Sequence, residues 1–417
     1  MKIILVNNLY GRHARGGAER VVEAEARGLA AAGHDVAVVS GIPKSDTAAG
    51  GVCGVDGCGA RRIVIGGADG LFRTAEYDPQ NVFFYKELHR HRWPARLVWH
   101  ALDIWNRGST RTLMAFVRRE KPDAVHTHNL MGLGFSIPGG LRREGVRHIH
   151  TVHDVQLLHP SGLLPAEWKG PRWPHEHAYV RIMRRRMGSP DIVVFPSAFM
   201  KELHERFGFF PRSRRVVLRN PVDLKTRDTR RKTQVLNRFL FVGQLEEHKG
   251  ILDLLDAWML WEGRGDAVLS IVGSGVLEDA VRRRAEFMPA VEFLGRLEGE
   301  EFGREMDRAS WLVVPSKVIE NAPTVIVEAL ARGIPVIASR TGGIPELVRD
   351  GENGILFGVG EKEALLAALA KAEGSKLKVP PFGGTSPSLM KYSGGAESVV
   401  DMPTVDEHLE ALEGYYE

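Results

Sequence analysis

Short apolar runs alternate with longer stretches of helical periodicity, and the pattern runs twice along the chain. This constrains the fold more than any other feature, because strands separated by helices build a parallel sheet covered on both faces. The first series places strands at 2–8, 35–41, 123–129, 148–154 and 191–197, and the second at 238–243, 267–273, 291–295, 311–316 and 335–339. Between them, residues 223–234 carry Lys225, Arg227, Arg230, Arg231 and Lys232 in a polar run with the composition of a linker. A chain of 417 residues also exceeds the roughly 100–200 residues of one ordinary domain. The expected organisation is an α/β chain with one domain over 1–222, a linker over 223–234 and a second domain over 235–373. An irregular Gly-, Ser- and Pro-rich loop over 374–403 follows, then a helix over 404–417 with Val405, Leu409 and Leu412 on one apolar face.

Composition narrows the classes of function. No run approaches the ~20 apolar residues that cross a bilayer, and Ile3–Val6 is too short for a secretory signal core. The reading is a cytoplasmic chain. A net charge of +4 favours anionic partners without choosing among them; with no zinc spacing or recognition motif, nucleic acid is not expected. Cys53 and Cys58 are too few for a four-cysteine zinc site and are read as reduced, non-catalytic thiols in a loop. His126 and His128 share one face of a strand, but a metal site would need further ligands, and no metal is expected.

Two carboxylates stand eight positions apart in Glu320-Asn321-Ala322-Pro-Thr324-Val-Ile-Val-Glu328, just after a strand. A carboxylate accepts hydrogen bonds from the paired hydroxyls of a ribose. A helix opening at Thr324 would turn its N-terminus toward diphosphate oxygens. Upstream stands Phe241-Val-Gly-Gln244-Leu-Glu-Glu-His-Lys249-Gly250, and downstream Thr341-Gly-Gly-Ile-Pro-Glu-Leu-Val348 and Asn353-Gly-Ile-Leu-Phe357. In order and spacing this series resembles the family 4 glycosyltransferases, and the resemblance covers most of residues 1–370. It implies the GT-B fold: two Rossmann-like domains facing across a cleft, with a last helix crossing back to the N-terminal domain.

The resemblance also implies roles. Glu320 lies beside the donor sugar and Glu328 takes the ribose hydroxyls; Lys249 and the residue at 244 neutralise the diphosphate. The family's arginine is here Gln244, which can donate a hydrogen bond but carries no charge; Arg340 is a candidate replacement. Gly273 in Gly-Ser-Gly275 suits close approach of backbone to a ligand, and Arg296 and Leu297 match the stretch that reads the base. In the N-terminal half, Gly16 and Gly17 face the donor phosphates, and His153 of Thr151-Val-His-Asp154 approaches the sugar as a neutral imidazole oriented by Asp154. The implied reaction is metal-independent, retaining hexosyl or related transfer from a nucleotide-diphosphate sugar, without cofactor, to a glycan, lipid-linked or small-molecule hydroxyl. A noncatalytic sugar-nucleotide-binding subunit and a sugar-nucleotide epimerase are the rival readings. Basic and aromatic residues interleave over 89–105 and arginines cluster over 181–186. Such surfaces suit an anionic membrane as a partner, as they suit ordinary helices with Trp inside and Arg in water.

Overall fold

The computed structural model describes residues 1–14, 16–46, 52–53, 63–68, 70–221, 237–373, 375, 377, 379, 390–391, 399–400 and 402–417. The chain divides into two compact units. The first comprises Met1–Leu163, Lys169–Leu218 and Val405–Glu417, and the second Leu164–Trp168 and Arg219–Thr404. The expected linker over 223–234 lies outside the described residues.

In the first unit β1 (Lys2–Val6), β2 (Asp35–Gly41), β3 (Val52–Cys53), β4 (Ile63–Ala68), β5 (Phe72–Tyr77), β6 (Ala124–Thr127), β7 (Arg147–Thr151), β8 (Ile192–Phe195) and β9 (Arg214–Val217) make one sheet, in the order β3-β4-β5-β2-β1-β6-β7-β8-β9. From β5 to β9 every pairing is parallel, whereas β3 and β4 add an antiparallel edge. Ile3, Ile4, Leu5 and Val6 are all fully buried because β1 is covered on both faces. Ile3 and Leu5 meet Val22, Ala26 and Leu29 of the helix Gly17–Ala31, together with Leu409, Leu412 and Tyr416 of the helix Val405–Tyr416. The two helices meet at Gly28, where a methyl group would sit 2.0 Å from Leu409 Cδ1.

In the second unit β10 (Arg238–Val242), β11 (Val268–Val272), β12 (Val291–Gly295), β13 (Trp311–Val314), β14 (Val336–Ser339) and β15 (Gly354–Phe357) form an all-parallel sheet in the order β12-β11-β10-β13-β14-β15. Strand order reverses at β1/β6 in one unit and at β10/β13 in the other. Beyond the carboxyl ends of such strands the flanking loops diverge, and ligands collect there. No described helix is long and apolar enough to cross a membrane.

Several expectations need correction. Cys53 belongs to β3, paired with Ile63 of β4, rather than to a loop, while Cys58 lies outside the described residues. Strands β3, β4, β5, β9 and β15 are additional to those expected: β9 is an edge strand of sequence RRVV without the buried apolar run that marks its neighbours, and β15 lies within the Asn353–Phe357 motif. The 374–403 stretch is largely outside the described residues, but within it Met390–Lys391 pairs antiparallel with Val399–Val400.

One buried acid offers a test of the first unit. Asp103 ends the fully buried side of the helix Trp93–Ile104, and both its oxygens accept the Gly132 N–H at 3.0 Å. Burial, opposed by that hydrogen bond, pushes its carboxyl up to about 8. The native state therefore holds a proton that the unfolded chain releases from about pH 4 upward. The associated stability is complete below that pH and is lost as pH rises to about 8. Asp103→Asn keeps an acceptor for Gly132 and should flatten this fall, which is on the order of a few kcal/mol. Urea unfolding of both proteins at pH 5 and pH 8 checks it; parallel pH trends would show that Asp103 is not the group responsible.

Candidate active site

In the second unit the β10 and β13 exits bring Lys249 and Glu320 together. Lys249 Nζ donates to Glu320 Oε1 at 2.7 Å, and Ser316 Oγ donates to the same oxygen at 2.7 Å. The pair is partly open to solvent, Lys249 being 29% and Glu320 14% exposed. Burial alone would raise the Glu320 carboxyl, but Lys249 and then Ser316 outweigh it and hold it below the usual carboxylate range. Nearby, burial and the Lys249 charge depress the His248 imidazole.

Glu320 sits on an irregular loop whose backbone is pinned from four directions. Lys317 N donates to His248 O at 2.8 Å, Ile319 N to Leu164 O at 2.8 Å, and Gly343 N to Glu320 O at 2.8 Å; Thr341 Oγ1 donates to Val318 O at 3.1 Å. Gly250 and Gly342 make the approaches possible. Both have left-handed backbone, with φ +73° and +56°, and a Cβ on either would lie 1.9 Å from a carbonyl oxygen, that of Pro315 or of Glu320. Leu164, Pro165 and Ala166 brace this loop from more than 150 residues upstream, through the Ile319 bond, a Pro165–Val318 bridge and an Ala166 N to Lys317 O bond of 3.2 Å. No motif marks that segment, and sequence reading missed it.

Past Glu320, Asn321 and Ala322 are buried, and Ala322 O accepts from Asn220 Nδ2 at 3.0 Å. The helix Thr324–Ala331 follows, with Pro323 at its N-cap and no side chain capping it. Among the described residues no protein acceptor takes the N–H of Thr324 or Val325, so this end suits an anion. Glu328 stands one turn further along the same helix.

Packing within the unit itself requires glycine at 273 and 275. A Cβ at Gly273 would lie 1.8 Å from Gly243 O, and one at Gly275 would lie 2.6 Å from Leu245 O. The close approach they permit is between the β10 and β11 exit loops, which also join through Leu245 N to Ser274 O at 2.9 Å. Gln244 lies between those contacts. Arg296 turns its guanidinium outward to Glu298 at 2.7 Å, while Leu297 packs on the core. Arg340, one residue before the turn that holds Glu320, is exposed.

In the first unit the ends of β6 and β7 assemble a buried histidine network. His153 Nε2 and His128 Nδ1 are 2.9 Å apart, His128 Nε2 lies 3.3 Å from Glu25 Oε2, and Glu25 Oε1 meets His408 Nε2 at 3.0 Å. His126 bridges Tyr416 OH at 2.9 Å and Thr151 Oγ1 at 2.7 Å. Burial, then His408, pushes His153 down to about 3, so the imidazole is neutral near pH 7. Burial likewise raises Glu25 against the pull of His408. His128 thus holds the ring, while Asp154, the expected orienting group, accepts Gln156 N–H at 2.8 Å. Glu25 with His126 and His128 also places three buried ligand atoms within 4.8 Å of one another, a set able to hold a metal ion. Glu25, His408 and Tyr416 come from the first and last helices, distant in sequence from β6 and β7, and left no motif. Gly16 N donates to Glu19 Oε2 at 2.9 Å as the helix opens at Gly17. Gly16 has extended backbone, φ −149°, and among the described residues a Cβ would meet only Glu19 Oε2 at 3.6 Å, so neither φ nor packing against them demands glycine there.

Sequence comparison bears on both units. The model of Glycosyltransferase Family 4 matches residues 15–226, and that of Glycosyl transferases group 1 matches residues 237–373. The chain belongs to glycosyltransferase family 4. This family 4 enzyme is 27% identical to an uncharacterised 42.6 kDa protein in the cps region of Klebsiella pneumoniae, over 84% of its own length and 88% of the other. It is 26% identical to a glycogen synthase of Mycobacterium tuberculosis, over 88% and 85%. Among solved structures it is similar to a sucrose-phosphate synthase from Thermosynechococcus elongatus, with TM-score 0.64, 20% identity and 89% of each chain covered. It is also similar to Anabaena HepE in complex with UDP-glucose, with TM-score 0.62, 14% identity and 100% and 96% covered. At these identities the structural likeness is one of fold, the GT-B architecture of two α/β units. The family 4 glycosyltransferase is accordingly a glycosyl-transferring enzyme.

Proposed function

We propose that the chain moves a sugar from a nucleoside diphosphate to an acceptor hydroxyl with retention of anomeric configuration. The observation that carries this reading is the Lys249–Glu320 pair at 2.7 Å, set at the strand-order reversal beside the open N-terminus of Thr324–Ala331. Lys249 and the helix end supply positive potential for the departing diphosphate, and Glu320 supplies an acceptor for sugar hydroxyls. Glu328 takes the ribose hydroxyls, and the backbone of Arg296 and Leu297 meets the base edge. Asn321, Ala322 and Thr324 line the approach to the helix end. Gly16 and Gly17 meet the phosphates, which gives a reason for glycine at position 16. Neutral His153 bonds the sugar. Gln244 donates a hydrogen bond, and Arg340 supplies the charge that Gln244 lacks. HepE was solved with UDP-glucose, which supports a nucleotide-sugar donor here; a glycan or lipid-linked molecule is the proposed acceptor.

The test is incubation with a panel of UDP-, GDP- and ADP-sugars and candidate acceptors, followed by NMR of the product's anomeric coupling. An α-linked product from an α-configured donor is expected, and a β-linked product overturns retention. Because Lys249 and the helix end provide the positive charge, turnover should survive EDTA within about twofold; an EDTA-induced loss restored by a divalent ion would overturn the metal-free reading and direct attention to Glu25, His126 and His128.

A further inference from the structure

Away from both sites, three helices of the first unit gather arginines around a groove of about 580 Å³. Arg107 and Arg111 come from Arg107–Glu120, Arg142 and Arg143 from Ile137–Glu144, and Arg185 and Arg186 from Pro174–Met187. Among the described residues the one carboxylate lining it is Glu144, and Arg118 already pairs with it at 2.7 Å. Among the described residues none of the six arginines has a carboxylate partner. Arg142 donates instead to the Met187 carbonyl at 2.6 Å, and Arg186 to Ser136 Oγ at 3.5 Å. Burial, followed by the charges of Arg143 and Arg212, lowers the Arg142 guanidinium; burial, followed by Arg107, lowers that of Arg186. Like charges held together without counterions leave a site short of anions.

The groove continues into an apolar surface. Arg186 lies over the Trp105 ring, 5.3 Å from its centroid. Trp105 closes the helix Trp93–Ile104, whose inner side buries Trp99 and Asp103. Its outer side exposes Trp93 by 69%, Leu97 by 58%, Val98 by 55% and Leu102 by 47%, with Trp105 at 45%. At 3.6 residues per turn they spread over the outer half of the helix, Trp93 and Leu97 toward one edge and Val98, Leu102 and Trp105 toward the other. Isolated exposed apolar residues need no explanation, but five clustered on the outer half of one helix and its C-cap do.

We propose that this face docks on a bilayer containing anionic lipid, with headgroup phosphates in the arginine groove and Trp93, Leu97, Leu102 and Trp105 at the depth of the headgroups. Arginine matches phosphate by its planar fork of donors, and tryptophan favours the water–lipid boundary. The apolar cluster distinguishes a bilayer from a soluble polyanion, which would need the groove alone. Docking of this kind does not depend on the sugar-transfer reading, since it is measured without turnover.

Flotation of the full chain with phosphatidylcholine vesicles, and with vesicles in which a third of the lipid is phosphatidylglycerol, tests it. The protein should rise with the anionic vesicles at low salt, remain at the bottom with phosphatidylcholine alone, and be released by high salt. Arg107→Gln with Arg111→Gln and Arg185→Gln, all at exposed positions, should lower partitioning by roughly a hundredfold. Trp93→Ser with Leu97→Ser should weaken it at unchanged charge. Unaltered thermal midpoints confirm that the variants fold. Equal recovery at the bottom of both gradients, or flotation of the arginine variant at wild-type level, overturns the proposal. So does binding of inorganic pyrophosphate in the groove without flotation, which would assign it to a soluble anion.

Discussion

Glu320→Gln should reduce transfer turnover by roughly 100-fold or more while leaving the fold intact. The amide is nearly isosteric, and the loop around position 320 is held by backbone bonds to His248, Leu164 and Gly343, so the substitution changes charge more than position. Two things are lost: the strongest acceptor in the site and the counterion that places Lys249 Nζ at 2.7 Å. Lys249→Met removes the positive partner and should cost a similar factor. Because each single change already dissolves the pair, the double variant should be far less impaired than the product of the two effects, with a coupling of roughly 0.5–3 kcal/mol. The pH dependence has a definite sign. Glu320's native carboxyl is held below its ordinary value of 4.5, so the ion pair's contribution is present above that pH and is lost as pH falls through the lowered native value. Steady-state kcat and KM for the donor decide the matter: a Glu320→Gln variant keeping half its turnover would remove this residue from the mechanism.

Gly342→Ala should be among the most damaging single-methyl changes in the second unit. The new carbon would lie 1.9 Å from the Glu320 carbonyl oxygen, on a residue with φ +56°. An L-residue in the left-handed region costs roughly 1–2 kcal/mol, and forcing an atom into filled space typically adds another 1–3 kcal/mol. Gly351 separates the two costs, since its φ is +81° but a Cβ there would find nothing within 4 Å among the described residues. Gly351→Ala should therefore show the backbone penalty alone. In urea unfolding Gly342→Ala should be the less stable of the two by about 1–3 kcal/mol, and it alone should lose turnover, because relief of the clash moves the loop bearing Glu320. Equal stability of the two variants would mean that Gly342 does not support that loop.

The parallel strands of both cores were legible because a strand buried on both faces must be apolar along its whole length, as in Ile3–Val6. Edge strands such as β9 escaped for the converse reason: half its surroundings are water, and RRVV meets no such demand. The site divides in the same way. Lys249 and Glu320 were readable because each follows a strand at short range and carries a charge. Gly273 was readable as a glycine that something must approach closely, but no local pattern names Gly243 O as one such atom.

Order along the chain was thus sufficient for the two-unit α/β architecture, the family and the charged residues at the strand ends, since all of these rest on contacts within a few turns or on alternation between elements. The partners that hold those residues were decided by packing. Lys249 meets Glu320 across 71 positions, and Glu25 meets His408 across 383. A hydrogen bond imposes direction on two atoms but no pattern on the residues between them, so only the folded chain shows that the last helix supports the His153 ring or that the segment at Leu164 braces the Glu320 loop.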